Sequence, residues 1–251
     1  MKRLLITGAS SGIGMALALQ AAELGYDVTA CGRNQDRLKA LTEKYTAIKT
    51  LAFDVSDVEA CMKALHDKTF DVVVLNAGTC EYVDMDSFDP DMFRRVFDAN
   101  FFGAVNCLNA LLPNLQSGHQ LVFVDSLARL LPFTRSQAYG ASKAALHYLA
   151  KTMEVDLASR GAVVQSISPG FVRTPLTDKN DFDMPMRVEV DAAANSILKL
   201  ISRQKRTGYF PTVFAGIIRI LGSLPVSWQV ALCRHMKAAT ATKREAANET
   251  A

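Results

Sequence analysis

Short apolar runs alternate with longer helix-like stretches along most of this chain, and that alternation constrains the fold more than any other feature. Seven runs are predicted to be β-strands, at residues 4–6, 28–31, 49–53, 72–75, 121–124, 163–167 and 208–210. Six stretches are predicted to be helices, at residues 12–24, 35–45, 58–68, 88–115, 138–159 and 191–203. A repeated strand–helix–strand order is typical of βαβ units, and wholly apolar strands such as VVVL fit a sheet covered on both faces. The chain is therefore predicted to adopt a doubly wound α/β fold, with a mainly parallel seven-stranded sheet and helices on both faces.

The C-terminal part of the sequence differs from the rest. Residues 1–211 show no linker rich in Pro, Gly or Ser and are predicted to form one domain, whereas residues 212–251 are apolar and basic. Residues 201–251 contain eight Lys or Arg against two Glu, although the whole chain carries a net charge of only +3. Pro225, Arg219 and the short charge-free run between residues 220 and 233 disfavour a membrane span. The extension is expected to cover a subunit interface, or to lie on a membrane surface through residues 212–237.

Charge and cysteine content exclude several classes of protein. A net charge of +3 in 251 residues argues against a nucleic-acid binder that works by phosphate neutralisation. The five cysteines form no Cys-x-x-Cys pair and the four histidines are scattered, so the sequence predicts no metal site. An odd number of cysteines and the lack of a recognisable signal peptide indicate a cytoplasmic protein.

A glycine-rich turn, TGASSGIG at residues 7–14, joins the first predicted strand to the first predicted helix. Glycine at this place lets the backbone approach a pyrophosphate, and the helix N-terminus offers free N–H groups. A tight strand-to-helix connection without a ligand is the alternative for such a motif alone. The position after the first strand favours a dinucleotide in a Rossmann-type fold, with contacts from Gly8, Ser10, Ser11, Gly12, Ile13 and Gly14.

The end of the second strand bears on which dinucleotide is bound. An acidic residue there binds the ribose 2′-hydroxyl of NAD, and an arginine accommodates the 2′-phosphate of NADP. Here Arg33 follows Gly32, and the first carboxylate comes only at Asp36. NADP(H) is therefore predicted as the preferred cofactor and NAD(H) stays possible, although a solvated surface arginine would look the same.

Tyr139 and Lys143 lie four residues apart in YGASK and share one face of a predicted helix. A neighbouring ammonium favours the phenolate, so we expect Lys143 to lower the pKa of Tyr139 and make it a usable proton donor or acceptor. Ser126 lies thirteen residues upstream, at the end of the LVFVD strand. Ligands of α/β sheets lie at that strand edge, so the three residues are candidates for one catalytic site.

Taken together, these motifs resemble those of the short-chain dehydrogenase/reductase family, from residue 1 to about residue 210. The family's TGxxxGxG turn, Tyr-x-x-x-Lys pair and catalytic serine match residues 7–14, Tyr139 with Lys143, and Ser126. The family's NNAG element appears here as LNAG, with Leu75 in place of the first asparagine. This departure affects one hydrogen bond near the adenine and not the catalytic residues. The resemblance further assigns Asn100 to catalysis, and to cofactor binding Asp54, Val55, Asn76, Ala77, Gly78, Tyr139, Lys143, Pro169, Gly170, Val172 and Thr174.

The resemblance implies hydride transfer between nicotinamide C4 and a carbonyl or secondary alcohol. Tyr139 would then act as general acid or base, Lys143 would also hold the nicotinamide ribose, Ser126 would bind the substrate oxygen, and Asn100 would keep a water in a proton relay. A homo-oligomer, either a dimer or a tetramer, is expected. The alternative function is a non-catalytic NADP(H)-binding sensor or scaffold on the same fold.

The remaining polar and apolar candidates have simpler interpretations. Asp125 is expected to be a surface acid and His147 an outer-face residue, while Cys31, Cys80 and Cys107 are interpreted as small packing residues. The loop at residues 175–186 resembles the family's substrate loop and is expected to close as a lid. Its leucine, phenylalanine and methionines, including Met184 and Met186, favour an apolar substrate.

Overall fold

Seven parallel β-strands form one sheet in the computed structural model, which describes residues 1–179 and 184–249. The strands lie in the order β3-β2-β1-β4-β5-β6-β7. Their bounds are β1 Arg3–Thr7, β2 Asp27–Gly32, β3 Lys49–Ala52, β4 Val72–Leu75, β5 Gln120–Val124, β6 Val163–Pro169 and β7 Thr207–Phe210. The predicted doubly wound α/β fold is confirmed, and each predicted strand agrees with an observed one to within two residues at either end.

Helices connect successive strands and cover both faces of the sheet. They are α1 Gly12–Glu23, α2 Gln35–Lys44, α3 Val58–Leu65, α4 Pro90–Phe97, α5 Gly103–Leu111, α6 Gln137–Asp156 and α7 Val190–Ser202, followed by α8 Thr212–Gly222 and α9 Val226–Glu249. Side-chain caps begin several of them, because the first N–H groups of a helix have no partner within it. The side chains of Asn34, Asp57 and Asp89 accept hydrogen bonds from the backbone N–H groups of Arg37, Ala60 and Asp91.

The single helix predicted for residues 88–115 is interrupted in the structure. It begins at Pro90, changes to a π-helical turn at Asp98–Phe102, continues as α5 and ends in a 3₁₀ turn at Leu112–Asn114. A π-turn accommodates an extra residue in a helix and is common at functional sites. Here it contains Asn100, which is buried.

Two apolar layers hold the sheet between its helices. Leu4, Ile6, Val72 and Val74 point to one face, where they pack with residues of α1 and α7. Leu5, Val73, Leu121 and Phe123 point to the other, among residues of α3, α5 and α6. Alternate residues of one strand thus bury in opposite layers, which explains why the strands are apolar throughout.

Helix α8, the first helix of the C-terminal extension, packs beside the segment that follows β5. Its residues Phe214, Ala215 and Ile218 are buried with Leu127 and Leu131. Its opposite side leaves an apolar surface, with Val213, Ile217 and Ile220 exposed. Within residues 1–179 and 184–249, no helix combines the length and apolar content needed to cross a bilayer.

Candidate active site

The predicted site residues come from loops at the carboxyl edge of the sheet. Strand order reverses between β1 and β4, and at such a reversal the connections leave toward opposite faces and open a crevice. The turn after β1, the segment after β4 and Ser126 after β5 all follow the carboxyl ends of their strands. Parallel pairing thus brings together residues that are far apart in the sequence.

The turn after β1 is packed tightly against the segment after β4. The Thr7 hydroxyl oxygen accepts hydrogen bonds of 3.0 Å from the N–H groups of both Asn76 and Ala77. The Asn76 side chain donates in return to the Thr7 carbonyl, at 3.0 Å. Gly8 has φ +69°, and a Cβ there would lie 2.7 Å from Ala77 Cα. A Cβ on Gly14 would overlap the Gly8 carbonyl oxygen and lie 2.7 Å from Asn76 Nδ2, so both positions require glycine.

The same turn has the features of a pyrophosphate cradle. Ser11 is the N-cap of α1, so the N–H groups of the first helical turn are available to an anion at the positive end of the helix dipole. Ile13 packs on the core, and Ser10 approaches Gly32 at the end of β2. The residues present therefore fit a dinucleotide phosphate.

Arg33 and Asp54 meet at the ends of β2 and β3. The Arg33 Nη1 atom lies 3.3 Å from Asp54 Oδ2, and Arg33 remains 74% exposed. Burial opposes ionisation of Asp54, but hydrogen bonds from Ser56 and the Arg33 guanidinium outweigh it and lower the pKa of Asp54. The Asp54 carboxylate thus holds Arg33 at the ends of β2 and β3 and leaves most of the Arg33 guanidinium accessible. The neighbouring Val55 is held by its carbonyl, which accepts a 2.9 Å hydrogen bond from Asn106.

Ser126, Tyr139 and Lys143 are brought together by the packing of α6 on the end of β5. The Ser126 hydroxyl lies beside the Tyr139 phenol. Lys143 is 4% exposed, and its Nζ donates to the Val124 carbonyl at 2.9 Å and lies 5.9 Å from the centre of the Tyr139 ring. A hydroxyl, a phenol and an ammonium thus share one small volume, as the YGASK spacing and Ser126 predicted.

The expected effect of Lys143 on the pKa of Tyr139 is not what the structure shows. Burial, together with Cys80 and Asp125, raises the pKa of Tyr139 above its ordinary value, and the hydrogen bond with Ser126 only partly opposes this. Burial also lowers the pKa of Lys143 to about 8, against the opposing charge of Asp125. The expectation considered the ammonium alone, but loss of hydration dominates here.

Asn100 lies in the π-turn behind these groups. Its Oδ1 accepts a 2.7 Å hydrogen bond from the N–H of Thr79, and its Nδ2 donates to the Thr79 carbonyl and to Ser142 Oγ, both at 2.9 Å. A Cβ on Gly78 would lie 2.8 Å from Asn100 Oδ1 and 3.4 Å from Lys143 Nζ. The structure thus places Asn100 and Gly78 next to Lys143, with the Asn100 side chain engaged by protein groups.

The segment after β6 lies across the crevice from the glycine-rich turn. β6 ends at Pro169, and the Gly170 N–H donates to the Phe210 carbonyl at 2.7 Å. Val172 forms an isolated parallel bridge with Val188. The Thr174 methyl group would lie 3.3 Å from a Cβ on Gly12, so this threonine borders the turn. Of the predicted lid at residues 175–186, residues 180–183 lie outside the described residues.

Asp125 and His147 were missed as site neighbours, and the expectations of a surface acid and an outer-face residue are wrong. The Asp125 side chain is completely buried, and His147 donates to it through Nδ1 at 2.8 Å. The sequence carries a weak signal for this, because His147 follows Lys143 by one helical turn.

Of the cysteines considered in the sequence, only Cys80 lies near Tyr139 and Lys143. Cys31 and Cys107 are buried in the core as expected, and burial raises the pKa of the partly exposed Cys80 to about 11. In the parts of the chain that the structure describes, no three His, Cys, Asp or Glu side chains are grouped so as to hold a metal ion.

Comparisons with known proteins identify the family to which this chain belongs. The family model described as short chain dehydrogenase matches residues 2–184. An oxidoreductase of Myxococcus xanthus is 36% identical over 233 residues, which cover 88% of this chain and 92% of that protein. A 3beta-hydroxysteroid dehydrogenase of Mediterraneibacter gnavus is 34% identical over 203 residues, which cover 76% of this chain and 74% of the relative.

Solved structures show the same fold. A short-chain dehydrogenase from Burkholderia cenocepacia in complex with NADP superimposes with a TM-score of 0.74 at 25% identity, covering 83% of this chain and 94% of that one. A short-chain dehydrogenase from Sphingobium yanoikuyae in complex with NADPH has a TM-score of 0.76 at 22% identity, with coverages of 90% and 97%.

Proposed function

The chain belongs to the short-chain dehydrogenase family and is an oxidoreductase, and on that premise we propose that it transfers hydride between NADP(H) and an apolar ketone or secondary alcohol. The observation that carries this proposal is the placement of the Ser126 hydroxyl beside the Tyr139 phenol, next to the buried Lys143, at the edge of the sheet that faces the glycine-rich turn. A sensor or scaffold would not require a phenol, a hydroxyl and an ammonium in one volume.

Each polar group has a defined task in this reaction. When bound, the nicotinamide would supply or accept the hydride. Tyr139 donates a proton to the substrate oxygen as negative charge develops there, and Ser126 donates a hydrogen bond to the same oxygen. Lys143 contributes positive charge near this oxygen and offers N–H donors to the cofactor ribose, while Asn100 supports the backbone behind it.

The electrostatics of the site favour reduction at neutral pH. Because burial raises the pKa of Tyr139, its hydroxyl is protonated and ready to donate. Lys143, with a pKa of about 8, is still mostly charged at neutral pH. We therefore expect ketone reduction to fall as the pH rises through the pKa of Lys143, since the ammonium is then lost.

Turnover is tested by following NADPH oxidation over a panel of ketosteroids, long-chain aldehydes and short polar ketones. Tyr139→Phe should lower kcat by a factor of about 100 or more, since a positioned general acid contributes roughly that much. Tyr26→Phe is the matched control, because Tyr26 directly precedes β2 at the opposite edge of the sheet. Equal turnover by the wild type and Tyr139→Phe would refute the mechanism.

The preference for NADP(H) over NAD(H) rests on Arg33. Its guanidinium is exposed at the end of β2 and is held by Asp54 rather than neutralised within the core. Arg33→Ala should weaken NADPH binding by at least a factor of 10 and leave NADH binding nearly unchanged, because only NADPH carries the 2′-phosphate. Arg203→Ala, at the C-terminal end of α7, controls for the loss of one positive charge. An unchanged ratio of the two affinities would contradict the assignment.

The apolar substrate class is supported by the surroundings of Ser126. Leu127, directly after the serine, and Leu131, four residues further on, pack with Phe214 and Ile218 of α8, while Phe171 contacts Phe214. The related 3beta-hydroxysteroid dehydrogenase is named for an apolar secondary alcohol. A kcat/KM highest for small polar ketones in the panel would refute this part of the proposal.

We also propose that the protein is a homo-oligomer in the cytoplasm. The exposed face of α6 carries Tyr148 and Val155, which are 73% and 74% exposed, and an apolar stripe of this kind is typical of a covered surface. The structure describes all five cysteines and each is free, which fits a reducing compartment. Sedimentation should give a dimer or tetramer, and Val155→Glu should shift it toward the monomer. A monomeric wild type would contradict the proposal.

For the extension at residues 212–251 we propose a contact function, a subunit interface first and an anionic membrane surface second. The exposed stripe of Val213, Ile217 and Ile220 supports both, and the absence of acidic residues between Asp191 and Glu245 supports the second. Ile217→Ser with Ile220→Ser leaves the buried side of α8 intact. Smaller oligomers indicate the interface, loss of binding to vesicles containing phosphatidylserine indicates the membrane surface, and no change in either refutes the contact function.

A further inference from the structure

Three consecutive residues at the end of β5 each contact a different turn of α6. The Val124 carbonyl accepts a hydrogen bond from Lys143, the Ser126 hydroxyl lies beside the Tyr139 phenol, and Asp125 accepts a hydrogen bond from His147. The three residues of α6 are spaced by four and therefore lie along one side of the helix. Two of these contacts involve the proposed catalytic groups, and the third does not.

The third contact is the most extensively bonded. Oδ2 of Asp125 accepts hydrogen bonds from Ser166 Oγ at 2.8 Å, from Arg129 Nε at 3.1 Å and from His147 Nδ1 at 2.8 Å, and the single N–H of His147 Nδ1 is shared with Ser166 Oγ at 2.7 Å. The donors lie on α6, on β6 and in the turn after β5. Asp125 also donates its own N–H to the Ile167 carbonyl at 2.9 Å. One carboxylate thus links the catalytic helix to two strands.

The position of this carboxylate is costly unless its contacts hold. Its side chain is 0% exposed, and the Arg129 side chain is only 9% exposed. A buried ion with one bonded oxygen loses hydration that its partners must replace. Its Oδ1 is without a hydrogen-bond partner among the described residues. A simple packing role would be filled at less cost by an apolar side chain, which points to a role in the adjoining site.

We propose that Asp125 and His147 are positioning residues, whose buried hydrogen bond fixes the register between α6 and the end of β5 and thereby holds Ser126 against Tyr139. This inference rests on the proposed function for its kinetic consequences and on the geometry alone for its structural ones. Neither residue touches the substrate oxygen in this assignment. Asp125 acts through Ser126, its neighbour in the chain, and His147 acts through Lys143 and Tyr139, its neighbours on the helix.

Replacements of His147 test the contact without leaving a buried charge unpaired. His147→Leu removes the donor, whereas His147→Asn keeps an N–H close to the position of Nδ1. We expect His147→Leu to lower kcat by about 10-fold to 100-fold through misplacement of the reacting groups, with NADPH affinity unchanged within about twofold. His147→Asn should recover most of the lost kcat. Equal kcat for wild type and His147→Leu would overturn the proposal, as would equal loss in both variants.

Replacement of Asp125 should shift the pH dependence of kcat, which would not change if Asp125 had a purely structural role. The titratable groups near Lys143 are Asp125, which directly follows β5, Cys80 in the loop after β4, and Tyr139 on the same helix. Arg129 and His147 face Asp125 in turn. Asp125→Asn removes the only carboxylate of this set and leaves the Arg129 guanidinium in place. The alkaline fall in kcat for ketone reduction should therefore move to lower pH by about one unit. A lower maximal kcat, with the alkaline fall in kcat at an unchanged pH, would refute an electrostatic contribution of Asp125.

Hydrogen–deuterium exchange separates this inference from the proposed function. Amides of residues 124–129 should exchange faster in His147→Leu than in the wild type, and at nearly wild-type rates in His147→Asn. Absence of turnover by the wild type over the whole panel would refute the proposed function while the exchange result still tests the contact. Unchanged exchange in His147→Leu would refute the contact whatever the enzyme does.

Discussion

Replacing Lys143 by methionine should change how the stability of the fold depends on pH. Lys143 is 4% exposed, and burial lowers its pKa from 10.5 to about 8. Below the lower value the folded protein carries an ammonium that has lost most of its hydration. Methionine has a similar length and no charge, so the variant lacks this cost at every pH.

The size of the effect follows from the two pKa values. Each pKa unit corresponds to about 1.4 kcal/mol, so the shift amounts to about 3 kcal/mol of destabilisation when Lys143 is charged in the fold. Between the folded and the unfolded pKa the unfolded chain binds more protons, and stability therefore rises with pH. The wild type should gain about 1.4 kcal/mol per pH unit over the variant from about pH 8 to about pH 10.5.

A second contribution has the opposite sign and does not depend on pH. Methionine leaves the Val124 carbonyl without the ammonium that donates to it at 2.9 Å, which costs about 1–3 kcal/mol. The variant is then more stable than the wild type by about 1 kcal/mol at neutral pH. Above the crossing point, between about pH 8 and pH 10, the wild type becomes the more stable protein.

Urea denaturation of both proteins at about pH 7 and about pH 10 measures this difference, because the other titrating groups are common to the two chains and cancel. Lys39→Met, at an exposed position of α2, controls for the loss of a lysine as such. An equal difference in unfolding free energy between the two proteins at both pH values would refute the reasoning, since it would mean that burial does not perturb the pKa of the Lys143 ammonium.

Gly14→Ala should abolish measurable binding of NADPH and lower the unfolding free energy, because the added Cβ would overlap the Gly8 carbonyl oxygen. Its control is Gly216→Ala, at an open position of α8, which thermal melting should show to be neutral or to stabilise the helix by up to about 1 kcal/mol. Phe123→Ala should cost about 3–5 kcal/mol in urea denaturation, since this side chain is fully buried; a loss below about 1 kcal/mol would contradict the packing. Asn100→Ala should lower kcat more than it raises the KM for NADPH, because three hydrogen bonds that hold Thr79 and Ser142 are lost; a pure KM effect would place Asn100 in cofactor binding alone.

Most of the fold could be predicted from local patterns. Apolar runs such as residues 72–75 and 121–124 have the length and composition of strands buried on both faces, and the observed strands differ from the predicted ones by two residues at most at either end. The helix predicted at residues 88–115 was less accurate. Pro90 and its cap Asp89 set the start later, and nothing in the periodicity marks the π-turn around Asn100.

The candidate site was predictable to the extent that its residues lie in short motifs. The glycine-rich turn and the Tyr139–Lys143 pair each reflect a local constraint, namely close backbone approach and shared helix faces. The network of Asp125 was not predictable, because its partners Ser166 and His147 are 41 and 22 residues away in the sequence. A single aspartate after a strand has the same appearance whether it faces water or the core.

The sequence by itself determined the succession of strands and helices along the chain, the turn where a phosphate can approach, and which side chains are chemically able to transfer a proton. Those properties depend on neighbours within a few residues. Only the tertiary structure decided the ionisation behaviour of Tyr139 and Lys143 and the burial of Asp125. The pKa of a group depends on how much water its surroundings exclude, and that exclusion arises only when α6 packs against β5 and β6.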